Sequence, residues 1–248
     1  MTLFDMSPSS ELGRPRISVL PCSVVQLEAE HHQQRRDDGS HDAQSSRLQM
    51  SHFPTAVGDL CFQLFLREST HIFDPFAGWG ERASLARTYG KRYTGVDINP
   101  DAITFARERY QVENIAMDAR NFSPPCFDGL LTCPPYWNLE RYSDLGIDAA
   151  PTWEAFLFNL CVIFERAYDA AQVGAIFCVL SSDWRDDGVF YDLTYQIASI
   201  FNGLGATSID SVVISRLGVS KVKVMIPQAV RLGYTVKVHE TLNVWQKR

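Results

Sequence analysis

The apolar run Leu130-Leu131-Thr132 leads directly into Cys133-Pro134-Pro135-Tyr136-Trp137. Two adjacent prolines end a strand, because neither can donate to a sheet ladder. A thiol, two rigid carbonyls and two aromatic rings are thereby held at a strand's carboxyl end, the edge of an open α/β sheet where ligands bind. Three further stretches share that placement. Residues 74–81 read DPFAGWGE, in which Gly78 and Gly80 let a ligand approach the backbone closely and the next helix offers unpaired N–H groups. This loop lacks the last glycine of a dinucleotide fingerprint and the Lys-Ser/Thr of a P-loop. Asp97 ends the following strand, where a carboxylate can take both hydroxyls of a ribose. Asp118 ends the one after that.

The elements that must position these loops are legible from periodicity. From about residue 51 the pattern predicts helix over 55–69, strand over 70–76, helix over 80–90, strand over 92–98 and helix over 99–111. Asn99 is placed as an N-cap with Pro100 in the first turn. Strands at 113–119 and 127–132 follow, then a long helix over 152–171, a buried strand over 174–182, a helix over 188–205, and late strands at 207–216 and 234–246. Strands alternating with helices of this length require a mostly parallel sheet covered on both faces. Right-handed crossovers then bring every strand-to-helix loop to one edge. The last two strands have no helix between them, so one is expected to run antiparallel.

Composition removes some function classes. No apolar run reaches the roughly 18 residues of a membrane span. The 17–27 stretch is short and broken by Pro21, unlike a secretory signal. Six cysteines without a CxxC pair exclude a zinc-ribbon pattern and suit reduced thiols in a cytoplasm. His31 and His32 have no Cys or acidic partner at ligand spacing, so no metal is expected. The net charge is −6, but residues 216–248 carry seven Lys or Arg against one acidic residue, Glu240. That leaves −12 on residues 1–215 and gives the acidic body a basic end, a distribution suited to phosphates or to a solvated face.

Taken in order, these loops resemble those of the S-adenosylmethionine-dependent amino methyltransferases that modify exocyclic nitrogens of nucleic-acid bases. The family's D-P-F-x-G-x-G motif is matched by residues 74–80, and its S/D/N-P-P-Y/F/W motif by Cys133 to Tyr136. The closing strand, VHETLNVWQK, is similar to the family's last strand, and TCPPY with Tyr142-Ser143-Asp144 resembles a phage-associated and bacterial subgroup. The resemblance runs from about residue 51 to the C-terminus.

The resemblance implies a Rossmann-like class I methyltransferase fold, with a mostly parallel seven-stranded sheet and a late antiparallel strand. It implies S-adenosyl-L-methionine as cofactor, with Asp74, Phe76, Ala77, Gly78 and Gly80 at its methionine half. Asp97 would hold the ribose, Ile98 would lie against the adenine and Asp118 would accept from the adenine amino group. Residues 52–55 would add to the cofactor wall. Cys133, Pro134, Pro135 and Tyr136 would be catalytic: the loop's acceptors draw on an amino group while the aromatic ring stacks on a flipped base. Cys133 departs from the family, since a thiol is a weak acceptor. More of the load would then fall on the Pro134 carbonyl, or be shared by Thr132. Enzymes that methylate carbon 5 of cytosine place their cysteine after a proline, not before it.

The implied reaction is methyl transfer to a base in double-stranded DNA, with cytosine N4 ahead of adenine N6. An RNA amino methyltransferase and an idle methyltransferase-like subunit are the alternatives. Trp137, Asp183, Arg185, Lys221 and Lys223 are expected to face the target. Residues 1–47 read as a partly flexible extension and 48–248 as the methyltransferase domain, with small target-contacting insertions near 137–152 and 216–233. A cytoplasmic location in a bacterial or phage-infected cell fits, as does a role in restriction-modification. A homodimer is left open.

Overall fold

The computed structural model describes residues 22–27, 52–139, 145–215 and 220–248, with the side chains of 220–224 excepted. Residues 28–47 of the expected flexible extension, the His31-His32 pair and Tyr142 to Asp144 lie outside the described residues.

Ten strands are described. Eight form one sheet: β1 (Val24–Gln26), β2 (His71–Asp74), β3 (Arg92–Asp97), β4 (Ile115–Ala116), β5 (Phe127–Thr132), β6 (Ala171–Ser181), β9 (Thr207–Ser215) and β10 (His239–Gln246). Their spatial order is β1-β9-β10-β6-β5-β2-β3-β4. The run β6-β5-β2-β3-β4 is parallel, whereas β10 is antiparallel to both neighbours, β6 and β9. This is a Rossmann-like class I methyltransferase fold with its late antiparallel strand. The eighth strand, beyond the seven expected, is β1, which pairs in parallel with β9 from within the N-terminal extension.

Both sheet faces are buried, and the alternation along each strand assigns side chains to one or the other. Phe73, Leu130, Phe177 and Val179 join one core, under helix α4 (Trp153–Ala170) and helix α5 (Leu193–Gly203). Ile72, Leu131, Cys178 and Leu180 join the other, with Val57 and Leu60 of helix α1 (Thr55–Leu60) and with Phe62. Truncating a fully buried ring such as Phe177 costs about 3–5 kcal/mol. Helix α1 continues into a wider π-helical turn over Cys61–Phe65.

The predicted Asn99 cap forms, and Thr152 provides a second cap that the sequence reading did not assign. The Asn99 side chain accepts from the Asp101 N–H at the start of helix α3 (Pro100–Tyr110), and Thr152 accepts from Ala155 N–H at the start of α4. Helix α4 runs straight into β6, leaving its last carbonyls without helical partners. Lys247 supplies donors, its Nζ reaching the carbonyls of Tyr168 at 2.6 Å and Ala171 at 2.9 Å. A cation there also opposes the negative end of the helix dipole.

Three expectations about elements are corrected. The 188–205 stretch is not one helix: it begins with β8 (Val189–Tyr191), which pairs with β7 (Trp184–Asp186) in a separate hairpin, and only then becomes α5. The turn is Asp187-Gly188, both at positive φ, the conformation that two-residue hairpins require. The strand expected over 113–119 is confined to Ile115–Ala116, and that over 234–246 begins at His239. The expectation that no helix separates the last two strands is overturned as well, because residues within the 216–233 stretch form helix α6 (Ser220–Leu232), which carries Pro227 in its interior. Among the described residues no helix is long and apolar enough to cross a membrane.

Candidate active site

The carboxyl ends of β2, β3, β4 and β5 open onto one cavity that encloses about 1060 Å³, part of it open to solvent. Each strand contributes a loop of different character.

After β2 comes the glycine loop. Phe76 and Gly78 line the cavity, together with Trp79, Glu81 and Arg82. Gly78 has φ +56°, and a Cβ there would meet nothing closer than 3.9 Å, so its glycine answers to the backbone conformation. Gly80 has a second reason. It sits at φ +97° as the N-cap of helix α2 (Glu81–Thr88), and a Cβ would come within 2.7 Å of Ala106 on α3. Gly80 and Ala77 therefore shape the loop from behind and do not line the cavity.

Asp74 is likewise turned away from the cavity. It is fully buried and accepts from four donors: Arg82 Nε at 2.6 Å, the Tyr93 hydroxyl at 2.7 Å, the Thr132 hydroxyl at 2.6 Å and the Phe76 N–H at 3.0 Å. Burial disfavours the Arg82 cation, but the Asp74 carboxylate outweighs it and holds the guanidinium firmly protonated. Burial, reinforced by the Asp74 charge, pushes the Tyr93 phenol well above its usual range. Arg82 also donates to the Phe76 carbonyl and lies 4.8 Å over the Phe53 ring. One buried carboxylate thus ties the glycine loop, α2, β3 and the end of β5 together.

After β3, Asp97 and Ile98 line the cavity. Asp97 accepts from the Gly78 N–H at 2.7 Å and the Asn99 N–H at 2.8 Å, which fixes the carboxylate between two loops. Burial raises its pKa despite those two hydrogen bonds. After β4, Asp118 lines the cavity and forms a forked pair with Arg120, Nε at 2.9 Å and a terminal nitrogen at 2.6 Å. Burial pushes Asp118 up, but the Arg120 hydrogen bonds outweigh it and hold it below the usual carboxylate range. Arg120 reaches on to the Leu145 carbonyl at 3.0 Å, binding this loop to the strap formed by residues 145–150.

After β5, Cys133, Pro134, Pro135 and Tyr136 all line the cavity. The Tyr136 ring is braced edge-on by Trp184, centroids 5.4 Å apart, and Trp184 stacks on Tyr191. The hairpin that sequence periodicity missed therefore supports the aromatic ring of the Pro134-Pro135-Tyr136 loop. Trp137 is turned into the same cluster, 5.2 Å from Tyr191, with its indole N–H on the Ala150 carbonyl at 2.8 Å. It does not line the cavity. The Thr132 hydroxyl, expected as a possible acceptor at the reacting group, is sealed from solvent and committed to Asp74.

Asp183 and Arg185, two more of the expected target-facing residues, do not line the cavity. Asp183 accepts from the Thr194 N–H at the start of α5 and from Lys237 Nζ, each at 3.0 Å. The exposed Arg185 guanidinium lies 4.9 Å from the Phe190 ring and 4.9 Å from the Tyr234 ring, and Lys237 lies 5.5 Å from Phe190. Lys221 and Lys223 belong to the first turns of α6, and their side chains lie outside the described residues.

The cavity holds several residues that sequence reasoning did not assign. Glu81 pairs with His52, which lines the cavity with Phe53 and Pro54 of the expected 52–55 wall. Asp148 enters from the 145–150 strap and Glu240 from the start of β10. Glu81 and Glu240 were visible within DPFAGWGE and VHETLNVWQK, but no local pattern points either at the cavity. The lining carries five carboxylates, Glu81, Asp97, Asp118, Asp148 and Glu240, against one arginine and one histidine. Such a site favours a cationic ligand. Among the described residues no cluster of three or more His, Cys, Asp or Glu is arranged to hold a metal.

No protein-family model matches the chain. A stretch of 48 residues is 35% identical to the Type II methyltransferase M2.DpnII of Streptococcus pneumoniae, covering 19% of this chain and 18% of that protein. The N-methyltransferase NodS from Bradyrhizobium japonicum WM9, solved with S-adenosyl-L-homocysteine, superposes with a TM-score of 0.53 at 14% identity, over 84% of this chain and 93% of NodS. TrmN from Thermus thermophilus superposes with a TM-score of 0.51 at 15% identity, over 78% of this chain and 48% of TrmN. The chain thus spans less than a fifth of the curated relative and about half of TrmN. The structural likenesses show the fold.

Proposed function

We propose that the protein transfers a methyl group from S-adenosyl-L-methionine to the exocyclic amino group of a base in DNA, cytosine N4 ahead of adenine N6. The observation that carries this reading is the shared cavity. The glycine loop at Gly78, the carboxylate of Asp97 and the Cys133-Pro134-Pro135-Tyr136 loop face the same space.

The residues fit the cofactor. The acidic lining suits a sulfonium and an ammonium. Asp97 has the position for a ribose diol, Ile98 for one face of the adenine and Asp118 for its amino group. Phe76 and Gly78 border the methionine end. Asp74, Ala77 and Gly80 act one layer back, holding the loop that Gly78 belongs to. When bound, the cofactor supplies an electrophilic methyl group. The chain's part is to place a weakly nucleophilic amino group in line with it. The two prolines fix the Pro134 carbonyl as a preset acceptor for one N–H. Tyr136, held edge-on by Trp184, offers its face to the extruded base; such stacking is worth roughly 1–3 kcal/mol.

Duplex DNA as substrate is supported by the short match to M2.DpnII and by cations outside the cavity beside the Tyr136 brace. Arg185 and Lys237 flank the exposed Phe190 ring on the hairpin that carries Trp184. Contacts of this kind position phosphates without reading sequence. Cytosine is favoured because Cys133 stands where the family's cytosine-directed members have a small neutral residue.

The test is methyl transfer from labelled S-adenosylmethionine to unmethylated genomic DNA, followed by digestion to nucleosides and mass measurement. N4-methylcytosine is expected, and Tyr136→Ala is expected to abolish it. Label appearing in RNA but not DNA, or cofactor binding with no transfer to either, would overturn the reading.

A further inference from the structure

We propose that Glu240 is a catalytic residue that supplies the anionic acceptor which Cys133 cannot. This rests on the amino methyl transfer proposed above.

The argument begins with sheet register. Thr132 on β5 is level with Val179 on β6, which places Cys133 level with Leu180. Leu180 is in turn opposite Leu242 on β10. Cys133, Leu180 and Leu242 pack on the same core, so they lie on one face of the sheet. Glu240 is two residues before Leu242 on a strand and shares its face. Because β10 is antiparallel to β6, its first residues reach the rim where β5 and β6 end. Both Cys133 and Glu240 line the cavity there, on strands separated only by β6. Two strand spacings, with an offset of two residues along the strand, put their backbones roughly 12 Å apart. That gap takes the edge of one nucleobase, with a long glutamate side chain reaching in from one side.

The other cavity carboxylates are placed elsewhere. Asp97 and Asp118 follow β3 and β4, on the far side of the glycine loop. Glu81 is paired with His52. Asp148 is carried on the strap whose Ile147 joins the opposite core. Glu240 is half-buried, with Oε2 shielded from solvent, which strengthens its attraction for a developing positive charge.

The chemistry requires such a group. The lone pair of the amino nitrogen forms the new N–C bond, and the electrons of the breaking C–S bond stay on sulfur. The nitrogen is left positively charged and must lose one proton. The Pro134 carbonyl stabilises an N–H but cannot keep a proton, and a neutral thiol is a poor acceptor. The Glu240 carboxylate accepts the second N–H, takes the proton and releases it to solvent.

The test uses the full chain with tritiated S-adenosylmethionine and unmethylated genomic DNA. Glu240→Gln is expected to bind S-adenosylhomocysteine as the wild type does, to keep its KM for DNA and to lose at least tenfold in kcat. The acidic limb of the wild-type pH–rate profile is expected to vanish in this variant. Placing a carboxylate at the end of β5, across β6 from β10, by Cys133→Asp is expected to restore part of the rate in the Glu240→Gln background. An unchanged kcat for Glu240→Gln would overturn the proposal while leaving methyl transfer intact, as would a rate loss matched by lost cofactor affinity. A wild-type protein that methylates neither DNA nor RNA would overturn the underlying reading as well, and is recognised without any variant.

Discussion

The Thr132 hydroxyl donates to the Asp74 carboxylate across 2.6 Å, and neither side chain is reached by solvent. This bond joins the last residue of β5, immediately before the Cys133-Pro134-Pro135-Tyr136 loop, to the first residue of the glycine loop. The two loops, which the proposed function assigns to cofactor and target, are thereby set relative to each other by one buried contact. Thr132→Val keeps shape and removes the donor. It is expected to cost about 1–3 kcal/mol of stability, because a carboxylate oxygen loses a partner where water cannot replace it. Methyl transfer is expected to fall more than cofactor affinity. Chemical denaturation, S-adenosylhomocysteine binding and turnover on the same variant check this.

Arg82 and Asp74 form a buried ion pair at 2.6 Å. Arg82→Met leaves Asp74 as a buried charge without its main counterion, and about 3–5 kcal/mol of stability is expected to go. Arg82→Met combined with Asp74→Asn is expected to be less destabilised than the Arg82→Met single variant, since the stranded charge is removed. Urea unfolding of the wild type and both variants measures the difference.

Asp128 accepts from the Thr70 and His71 N–H groups and from the Thr70 hydroxyl, at 2.8–2.9 Å, and so clamps the start of β2 to β5. Burial raises its pKa, but these hydrogen bonds outweigh it and hold the group below its ordinary value. A carboxyl whose folded pKa is lowered gives stability that is complete above its unfolded pKa of about 3.9 and is lost as pH falls through the folded value. Asp128→Asn is expected to cost about 1 kcal/mol at neutral pH, solvent screening keeping the figure small. The gap between wild-type and variant melting temperatures is expected to narrow below about pH 4.

Asp97 shifts the other way. Its raised pKa means that it takes up a proton on acidification before an ordinary carboxylate does. A protonated Asp97 loses acceptor strength toward a ribose diol, so affinity for S-adenosylhomocysteine is expected to decline on the high-pH side of about 3.9. Asp97→Asn is expected to weaken binding about tenfold or more at neutral pH, a change of about 1.4 kcal/mol. Calorimetric titration across pH, wild type against variant, reads both effects.

The parallel alternation, the Asn99 cap and the four rim loops could all be read from residues 52–246, because each depends on local periodicity or on a single residue's backbone preference. The β7–β8 hairpin could not. Tyr191 falls in the stretch read as helix and Trp184 in the loop before it, and only their pairing across Asp187-Gly188 makes them strand residues bracing Tyr136. The late strand was legible as a strand, but its partners were not.

The sequence alone determined which loops would share an edge: strand and helix lengths with right-handed crossovers leave no other arrangement for Asp97, Asp118 and the Pro134-Pro135 pair. Tertiary structure decided which side chains face the cavity. Asp74 belongs to the first motif yet turns inward to four donors. Glu240 lies in the closing-strand motif, to which no site role was assigned, yet it reaches the rim, because β10 enters antiparallel between β6 and β9. A side chain's face is set by the register of non-local pairing, and one residue of slip reverses it.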